Sequence, residues 1–208
     1  MLKSGEARAE IRCEAALFYL EMGWSVIPLW GDARPERAKT PAVAWAAYQQ
    51  APPDAATVRR WFLTEQFGGI GIVCGPVSGL AVLDFDDVAL AQTFARLYPD
   101  LTNTLTVRSG GRGLPHYYYD VPPTLRLSAS HAPGVDLLAA GTYVVAPPTS
   151  CGGRAWEVEH DGPLHRLSAA DVQRISAFIA AQHADPARAV PADLLFVDAG
   201  SGALSLAA

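Results

Sequence analysis

A chain of 208 residues, of which 50% are apolar and 18% are charged, is long enough to form one domain with a hydrophobic core. That composition excludes an intrinsically disordered protein, and no apolar run approaches the roughly 20 residues that cross a bilayer. The net charge of −5 argues against a protein that coats nucleic acid through a uniformly basic surface, although an enzyme with a local basic groove can be acidic overall.

The cysteines indicate a reducing environment. Cys13, Cys74 and Cys151 lie far apart and form no CxxC pair. An odd, scattered set of this kind is typical of free thiols rather than of disulfides or a zinc site. The first ten residues carry mixed charges and lack the apolar core of a signal peptide. We therefore expect a cytoplasmic protein that does not enter a membrane.

The first predicted element is a helix over residues 7–22. Ile11, Ala15, Phe18 and Met22 are spaced like one apolar face of a helix. Gly23 lies where this helix should end.

Three further elements are predicted before residue 68. Residues 24–29 predict a short buried strand, and residues 31–41 predict an exposed basic loop that contains Lys39. Asp54 is expected to cap a second helix that runs through Trp61.

From residue 68 onward, short strands alternate with glycine turns. The predicted strands cover residues 70–73, 80–86, 104–108, 116–119, 135–138 and 142–146. Helices are predicted over about residues 88–97 and from Ser168 to about Gln182, where Asp171 completes a capping-box pattern.

These elements predict a fold class and the bounds of the domain. Mixed strands and helices without regular βα alternation indicate an α+β domain over residues 7–183. Residues 184–208 are rich in Ala, Pro, Gly and Ser and predict a flexible C-terminal tail.

Asp84 and Asp86 are the strongest local signal for chemistry. Because side chains alternate along a strand, both project to one face while Leu83 and Phe85 enter the core. Two adjacent carboxylates at the end of an apolar strand repel each other, and a pair of divalent cations removes that penalty. The alternative is that Asp86 and Asp87 cap the following helix, which explains Asp87 well and Asp84 badly.

A third carboxylate, Asp136, interrupts the apolar run of residues 135–138. An unpaired charge within a strand is costly, and this favours a metal ligand. The alternative is a turn aspartate that follows Pro133 and Gly134.

A glycine-rich loop, residues 109–113, follows the predicted strand 104–108. Glycines let the backbone approach a phosphate closely, and Ser109, Arg112 and His116 supply side-chain donors for a triphosphate. An ordinary hairpin turn explains the loop equally well. It is neither a Walker loop, since no GKS or GKT follows, nor a Rossmann fingerprint, since no helix opens after it.

Seven segments occur in a specific order along the chain. They are residues 23–29, 39–41, 69–75 and 82–86, Ser109-Gly110-Gly111 with His116, Val135-Asp136, and residues 141–149. Together they resemble the bifunctional primase-polymerase domain of the archaeo-eukaryotic primase superfamily, from about residue 15 to residue 180. Each segment is weak alone, whereas their order and spacing are specific.

The resemblance implies a fold, a metal site and an activity. The fold pairs an RRM-like catalytic sheet with a small N-terminal αβ unit. Asp84, Asp86 and Asp136 would hold two Mg²⁺ or Mn²⁺ ions, and Ser109 and His116 would contact the incoming nucleotide. The activity would be the synthesis of primers from nucleoside triphosphates on a single-stranded DNA template and their extension with deoxynucleotides.

Two departures from the family pattern affect the nucleotide contacts. The loop between Ser109 and His116 is longer than the compact S-x-H form, and Leu138 stands where a basic residue often follows the third acidic residue. Arg108 or Arg112 would replace the missing charge. Lys39 is a further candidate for contact with a phosphate or the template.

Other functions and partners stay open at this stage. The domain could bind template or nucleotide in a replication-initiation complex without polymerase activity, although three repelling carboxylates argue against a pure binding module. A metal-dependent phosphoesterase would degrade DNA instead. Relatives often carry a helicase domain, and no Walker loop is found here. The sequence is therefore either a free-standing protein, for which a separate replicative helicase is a candidate partner, or a fragment of a longer primase-helicase.

Overall fold

Two largely antiparallel sheets organise residues 4–183, which are the residues that the computed structural model describes. The small sheet has the strand order β1-β2-β8 and contains β1 (Val26–Leu29), β2 (Gly69–Val73) and β8 (Tyr143–Ala146). The large sheet contains β3 (Leu80–Phe85), β4 (Thr106–Arg108), β5 (Pro115–Asp120), β6 (Ser130–Ala132), β7 (Val135–Leu138), β11 (Glu157–His160) and β12 (His165–Arg166). Its order is β11-β4-β5-β3-β7-β6, and β12 pairs in parallel with β5. The predicted tail, residues 184–208, lies outside the described residues.

Short elements and five helices complete the fold of residues 4–183. β9 (Ser150–Cys151) and β10 (Arg154–Ala155) form a separate hairpin. The helices are α1 (Ser4–Glu21), α2 (Ala55–Arg59), α3 (Val88–Leu97), α4 (Pro99–Thr102) and α5 (Ala169–Ala181). α2 continues into one π-helical turn, Arg60–Thr64, and short 3₁₀ turns cover Pro35–Arg37 and Ala46–Gln49. Among residues 4–183, no helix is long and apolar enough to cross a bilayer.

The two faces of the large sheet pack against different parts of the chain. On one face, Leu83 and Phe85 pack with α3 and α5, and the rings of Phe85 and Phe94 lie 5.5 Å apart. On the other face, Val82 and Tyr118 join the core of the small sheet. Alternation along β3 therefore places Asp84 on the same face as Val82, which is the face toward the small sheet.

The apolar stripe predicted for α1 is not the face that packs on the core. Ile11 and Phe18 are 55% and 57% exposed, and Met22 is also exposed. The helix instead buries Cys13 and Ala16 in the core of the small sheet. Small side chains let the helix approach its neighbours closely, and Ala15 is the member of the stripe that packs partly against this core.

Most other sequence-based elements are confirmed, and the fold class is α+β as predicted. Asp54 caps α2 by accepting a hydrogen bond from the Thr57 N–H at 2.7 Å, and Ser168 and Asp171 form the capping box of α5. The three cysteines are free thiols. The predictions missed β6, β9, β10, β11 and β12, of which β11 (Glu157–His160) is exposed throughout and has no apolar alternation.

Candidate active site

Polar side chains from four neighbouring strands form a row across one face of the large sheet. Asp84 on β3 pairs with His116 on β5 and with Asp136 on β7, and Asp136 pairs in turn with His131 on β6. Residues directly opposite each other on antiparallel strands have Cα atoms about 4.5–5.5 Å apart and side chains on the same face. The row therefore brings two carboxylates side by side between two imidazoles.

Both carboxylates are partly screened from solvent. The side chains of Asp84 and Asp136 are 27% and 31% exposed, and the row continues toward Val107, which is buried. In such a setting two like charges in register disfavour one another, whereas an added cation stabilises both.

His116 is buried and contacts Asp84. Its side chain is only 6% exposed, and Nε2 lies 3.0 Å from Asp84 Oδ1. Its Nδ1 is buried and has no hydrogen-bond partner among the described residues. His116 is thus placed to orient Asp84, and in this arrangement it does not present a nitrogen to solvent.

His131 was not singled out from the sequence. It is exposed, but its Nδ1 contacts Asp136 Oδ1. Pro133 and Gly134 form the two-residue connection between β6 and β7, with φ +84° at Gly134. A Pro-Gly pair is a recognised turn signal, so it could have predicted that residues 131 and 136 lie opposite each other.

Asp86 lies beyond the end of β3 rather than within it. The strand ends at Phe85, and the Asp86 N–H donates to Gly134 O at 2.9 Å. The Asp86 side chain is exposed, with Oδ1 3.9 Å from Arg112 Nη1. Asp87, as the alternative reading proposed, caps α3 by accepting from the Leu90 N–H at 2.9 Å.

The glycine loop is held by a hydrogen bond to its own end and by a contact with the end of β3, near the carboxylates. The Ser109 hydroxyl accepts from the Leu114 N–H at 3.2 Å, which leaves its own proton available to a ligand. Arg112 Nη1 donates to the Asp86 carbonyl, and this links the loop to the end of β3. Arg154 Nη1 donates to the Gly111 carbonyl at 2.9 Å and holds the loop against the β9–β10 hairpin. Arg154 was also not singled out from the sequence.

Gly110 and Lys39 connect the loop to the small sheet. A Cβ at Gly110 would lie 2.7 Å from the Trp156 ring and from the Arg154 carbonyl, so only glycine fits this close approach. Lys39 Nζ lies 5.5 Å from the centre of the same Trp156 ring, and the Lys39 carbonyl accepts from the Tyr143 hydroxyl at 3.0 Å. The structure therefore places Lys39 beside the tryptophan that supports the loop.

Arg108 is the predicted site residue that the structure does not bring to the row. Val107 shares the face of the row, so the alternating Arg108 projects to the other face of the sheet. There it pairs with Glu159 on β11.

The donor types around Asp84 and Asp136 fit a hard divalent cation, because carboxylate oxygens are the ligands that Mg²⁺ and Mn²⁺ prefer. Within residues 4–183, however, no three His, Cys, Asp or Glu side chains are already grouped to hold a metal ion. Asp84 and Asp136 each face a histidine, and Asp86 faces Arg112. The structure therefore brings Asp84 and Asp136 together and leaves the Asp86 side chain beside Arg112.

A family model described as bifunctional DNA primase/polymerase, N-terminal, matches residues 16–171 of this chain. The chain belongs to this Prim-Pol family. The match covers well over half of the chain and spans the whole row from Asp84 to Asp136. Membership indicates a primase/polymerase nucleotidyltransferase that acts on DNA and nucleotides. No curated protein matches the sequence.

Proposed function

We propose that this Prim-Pol domain is a template-dependent nucleotidyltransferase that makes primers on single-stranded DNA and extends them with deoxynucleotides. The observation that carries the proposal is the register of β3 and β7, which sets Asp84 directly opposite Asp136. A binding module has no need of two half-buried carboxylates in register, because their repulsion destabilises the sheet.

The residues take distinct roles in this proposal. Asp84, Asp86 and Asp136 bind two Mg²⁺ or Mn²⁺ ions, which supply charge neutralisation for the triphosphate and activation of the attacking hydroxyl. His116 positions Asp84 through the contact at 3.0 Å, since its burial keeps it from the incoming nucleotide. Ser109 and Arg112 line the side of the row on which the glycine loop approaches Asp86.

The glycine loop and Lys39 orient the triphosphate. The Ser109 hydroxyl donates to a phosphate oxygen while it accepts from Leu114. Arg112 exchanges its weak contact with Asp86 for a phosphate when the carboxylate turns toward a cation. Lys39 adds a positive charge from the small sheet without a fixed hydrogen-bond geometry.

The two sheets correspond to the two parts of the fold that the resemblance implies. We propose that the large sheet is the RRM-like catalytic sheet and that α1, α2 and the small sheet form the N-terminal αβ unit, together spanning residues 7–183. A separate helicase would expose the single-stranded template.

The test is a synthesis assay on circular single-stranded DNA with labelled nucleotides and Mn²⁺, beside a second reaction that contains an annealed primer. The proposal expects new primers in the first reaction and longer primers in the second. Asp84→Asn serves as the matched control, because it keeps the side-chain shape and the hydrogen bond from His116 and removes the charge. Equal synthesis by the Asp84→Asn variant would mean that another polymerase made the product.

The same assay separates the rival functions. No product at any metal concentration, together with intact DNA and retained nucleotide binding, would replace the proposal with a binding role in replication initiation. Shortened labelled DNA that depends on Asp84 would replace it with a phosphoesterase.

A further inference from the structure

A second charged cleft lies between α1 and the β9–β10 hairpin, and it shares no residue with the carboxylate row. Its volume is about 340 Å³. Arg8 and Arg12, one helical turn apart on α1, line one side, and Gly153 and Ala155 line the other. In a chain with a net charge of −5, two guanidinium groups that face one cleft are a local concentration of positive charge.

Arg12 has a hydrogen-bonding capacity that the protein does not use. Its Nε is buried and has no partner among the described residues. Burial, together with repulsion from Arg8, lowers the pKa of Arg12, while Asp32 acts in the opposite direction. A buried donor without an acceptor is costly, and an anion that accepts from it removes that cost and the repulsion between the two arginines.

Asp32 shapes the cleft rather than satisfying Arg12. Its Oδ1 accepts from the Gly152 N–H at 2.8 Å, and its Oδ2 accepts from the Ser150 hydroxyl. These bonds fix the hairpin against the side of the cleft and leave Arg12 Nε to a ligand.

The lining favours a phosphate attached to a sugar over a free inorganic ion. Ile11 and Pro148 contribute apolar surface beside the two arginines, and Ile11 is 55% exposed. Arginine binds phosphate in a bidentate manner, and an apolar wall suits the carbon face of a deoxyribose. We propose that this cleft binds a backbone phosphate of the single-stranded DNA on which the domain acts.

The hairpin places the cleft next to the proposed nucleotide loop. Ala155 lines the cleft, while the neighbouring Arg154 and Trp156 pack on Gly110 and Arg154 bonds the Gly111 carbonyl. The two strands of a hairpin lie about 4.8 Å apart. One DNA strand can therefore cross the hairpin and contact the cleft and the glycine loop together. That the ligand is single-stranded DNA rests on the proposed function, whereas that it carries a phosphate does not.

The test measures fluorescence anisotropy of a labelled oligothymidylate across a salt series without divalent cations. Each phosphate contact to single-stranded DNA contributes about 0.7 to the slope of log K against log salt. The variant with Arg8→Ala and Arg12→Gln removes the whole contact to the one phosphate, so it should lose about 0.7 from the slope, and about fivefold in affinity at about 0.1 M salt. Arg96→Ala is the matched control, because Arg96 is an exposed arginine on α3, which covers the other face of the large sheet.

Further variants keep the test decisive. Arg8→Ala alone changes an exposed side chain, so it should fold normally and lower both the slope and the affinity, by less than the double variant does. An unchanged slope in both variants would overturn the proposal. So would saturable binding of inorganic triphosphate that is lost in the double variant while DNA binding stays intact. The binding assay contains neither divalent cations nor nucleotides, so failure of this cleft is distinguished from failure of the proposed catalysis.

Discussion

Asp84 and Asp136 lie directly opposite each other on β3 and β7, although they belong to segments that are far apart in the sequence. Asp84 also contacts His116, and Asp136 contacts His131, so a histidine flanks the pair on each side. Two negative charges in register reduce the stability of the sheet, and the proposed cations would remove this cost.

The first prediction concerns these two charges. Asp84→Asn or Asp136→Asn should reduce synthesis by more than about 100-fold, because each removes a proposed cation ligand. Thermal unfolding should show unchanged stability or a gain of up to about 1 kcal/mol, because a like-charge pair is relieved. Asp120→Asn is the control, since Asp120 ends β5 and pairs with Arg166 away from the row. A large loss of stability in the Asp84→Asn variant would contradict the repulsion argument.

The second prediction separates two roles for His116. Its burial and its contact with Asp84 predict that His116→Gln weakens Mn²⁺ binding about 10–100-fold, as loss of a residue that orients a ligand does. Electron paramagnetic resonance of free Mn²⁺ measures this without any turnover. At saturating Mn²⁺ the KM for nucleotides should change little. A raised KM with unaltered Mn²⁺ affinity would instead assign His116 to the nucleotide, as the family resemblance implies.

The third prediction tests the glycine loop with two neighbouring substitutions. Gly110→Ala should raise the KM for nucleotides, because its Cβ would meet the Trp156 ring and the Arg154 carbonyl at 2.7 Å and push the loop outward. Gly111→Ala has open space around its Cβ and should change the KM little. Steady-state kinetics with a primed template compare the two. Equal effects would indicate that loop flexibility, not the close approach at Gly110, sets nucleotide affinity.

Local patterns predicted much of this site because they depend on one strand at a time. Side-chain alternation along the strand predicted that Asp84 projects from one face while Leu83 and Phe85 project from the other, and the latter two are buried as expected. Register between strands is a tertiary property, so no local pattern could show that Asp84 meets Asp136 rather than another residue of β7. Asp86 differs for a local reason, since the strand ends one residue earlier and the chain turns toward the cap of α3.

The errors have equally specific causes. Arg108 was predicted, as an alternative to Arg112, to replace the missing basic charge near the nucleotide. Strand alternation instead directs Arg108 to the opposite face, where Glu159 on an unpredicted strand pairs with it. The stripe that includes Ile11 and Phe18 has helical spacing, yet the core selected the small residues of α1 instead. Both cases required knowledge of which neighbour packs where.

The fourth prediction concerns Gly134, which links the third carboxylate strand to the end of β3. Gly134 has φ +84°, and a Cβ there would lie 2.9 Å from Asp87 Cβ and from Leu90 Cδ1. Gly134→Ala should therefore combine backbone strain with crowding against the first turn of α3, at a total cost of about 2–4 kcal/mol. Because the Gly134 carbonyl also accepts from the Asp86 N–H at 2.9 Å, Mn²⁺ affinity should fall as well.

Gly141→Ala separates the two contributions to that cost. Gly141 has a similar φ of +87° and nothing within 4 Å of its Cβ position, so it carries the strain without the crowding. Chemical unfolding of the two variants should show the larger loss at Gly134, and titration with Mn²⁺ should show weaker binding only there. Equal destabilisation of both variants, with intact Mn²⁺ binding, would contradict this prediction. It would mean that the close approach of Gly134 to Asp87 and Leu90 does not position Asp86, and that β3 alone does.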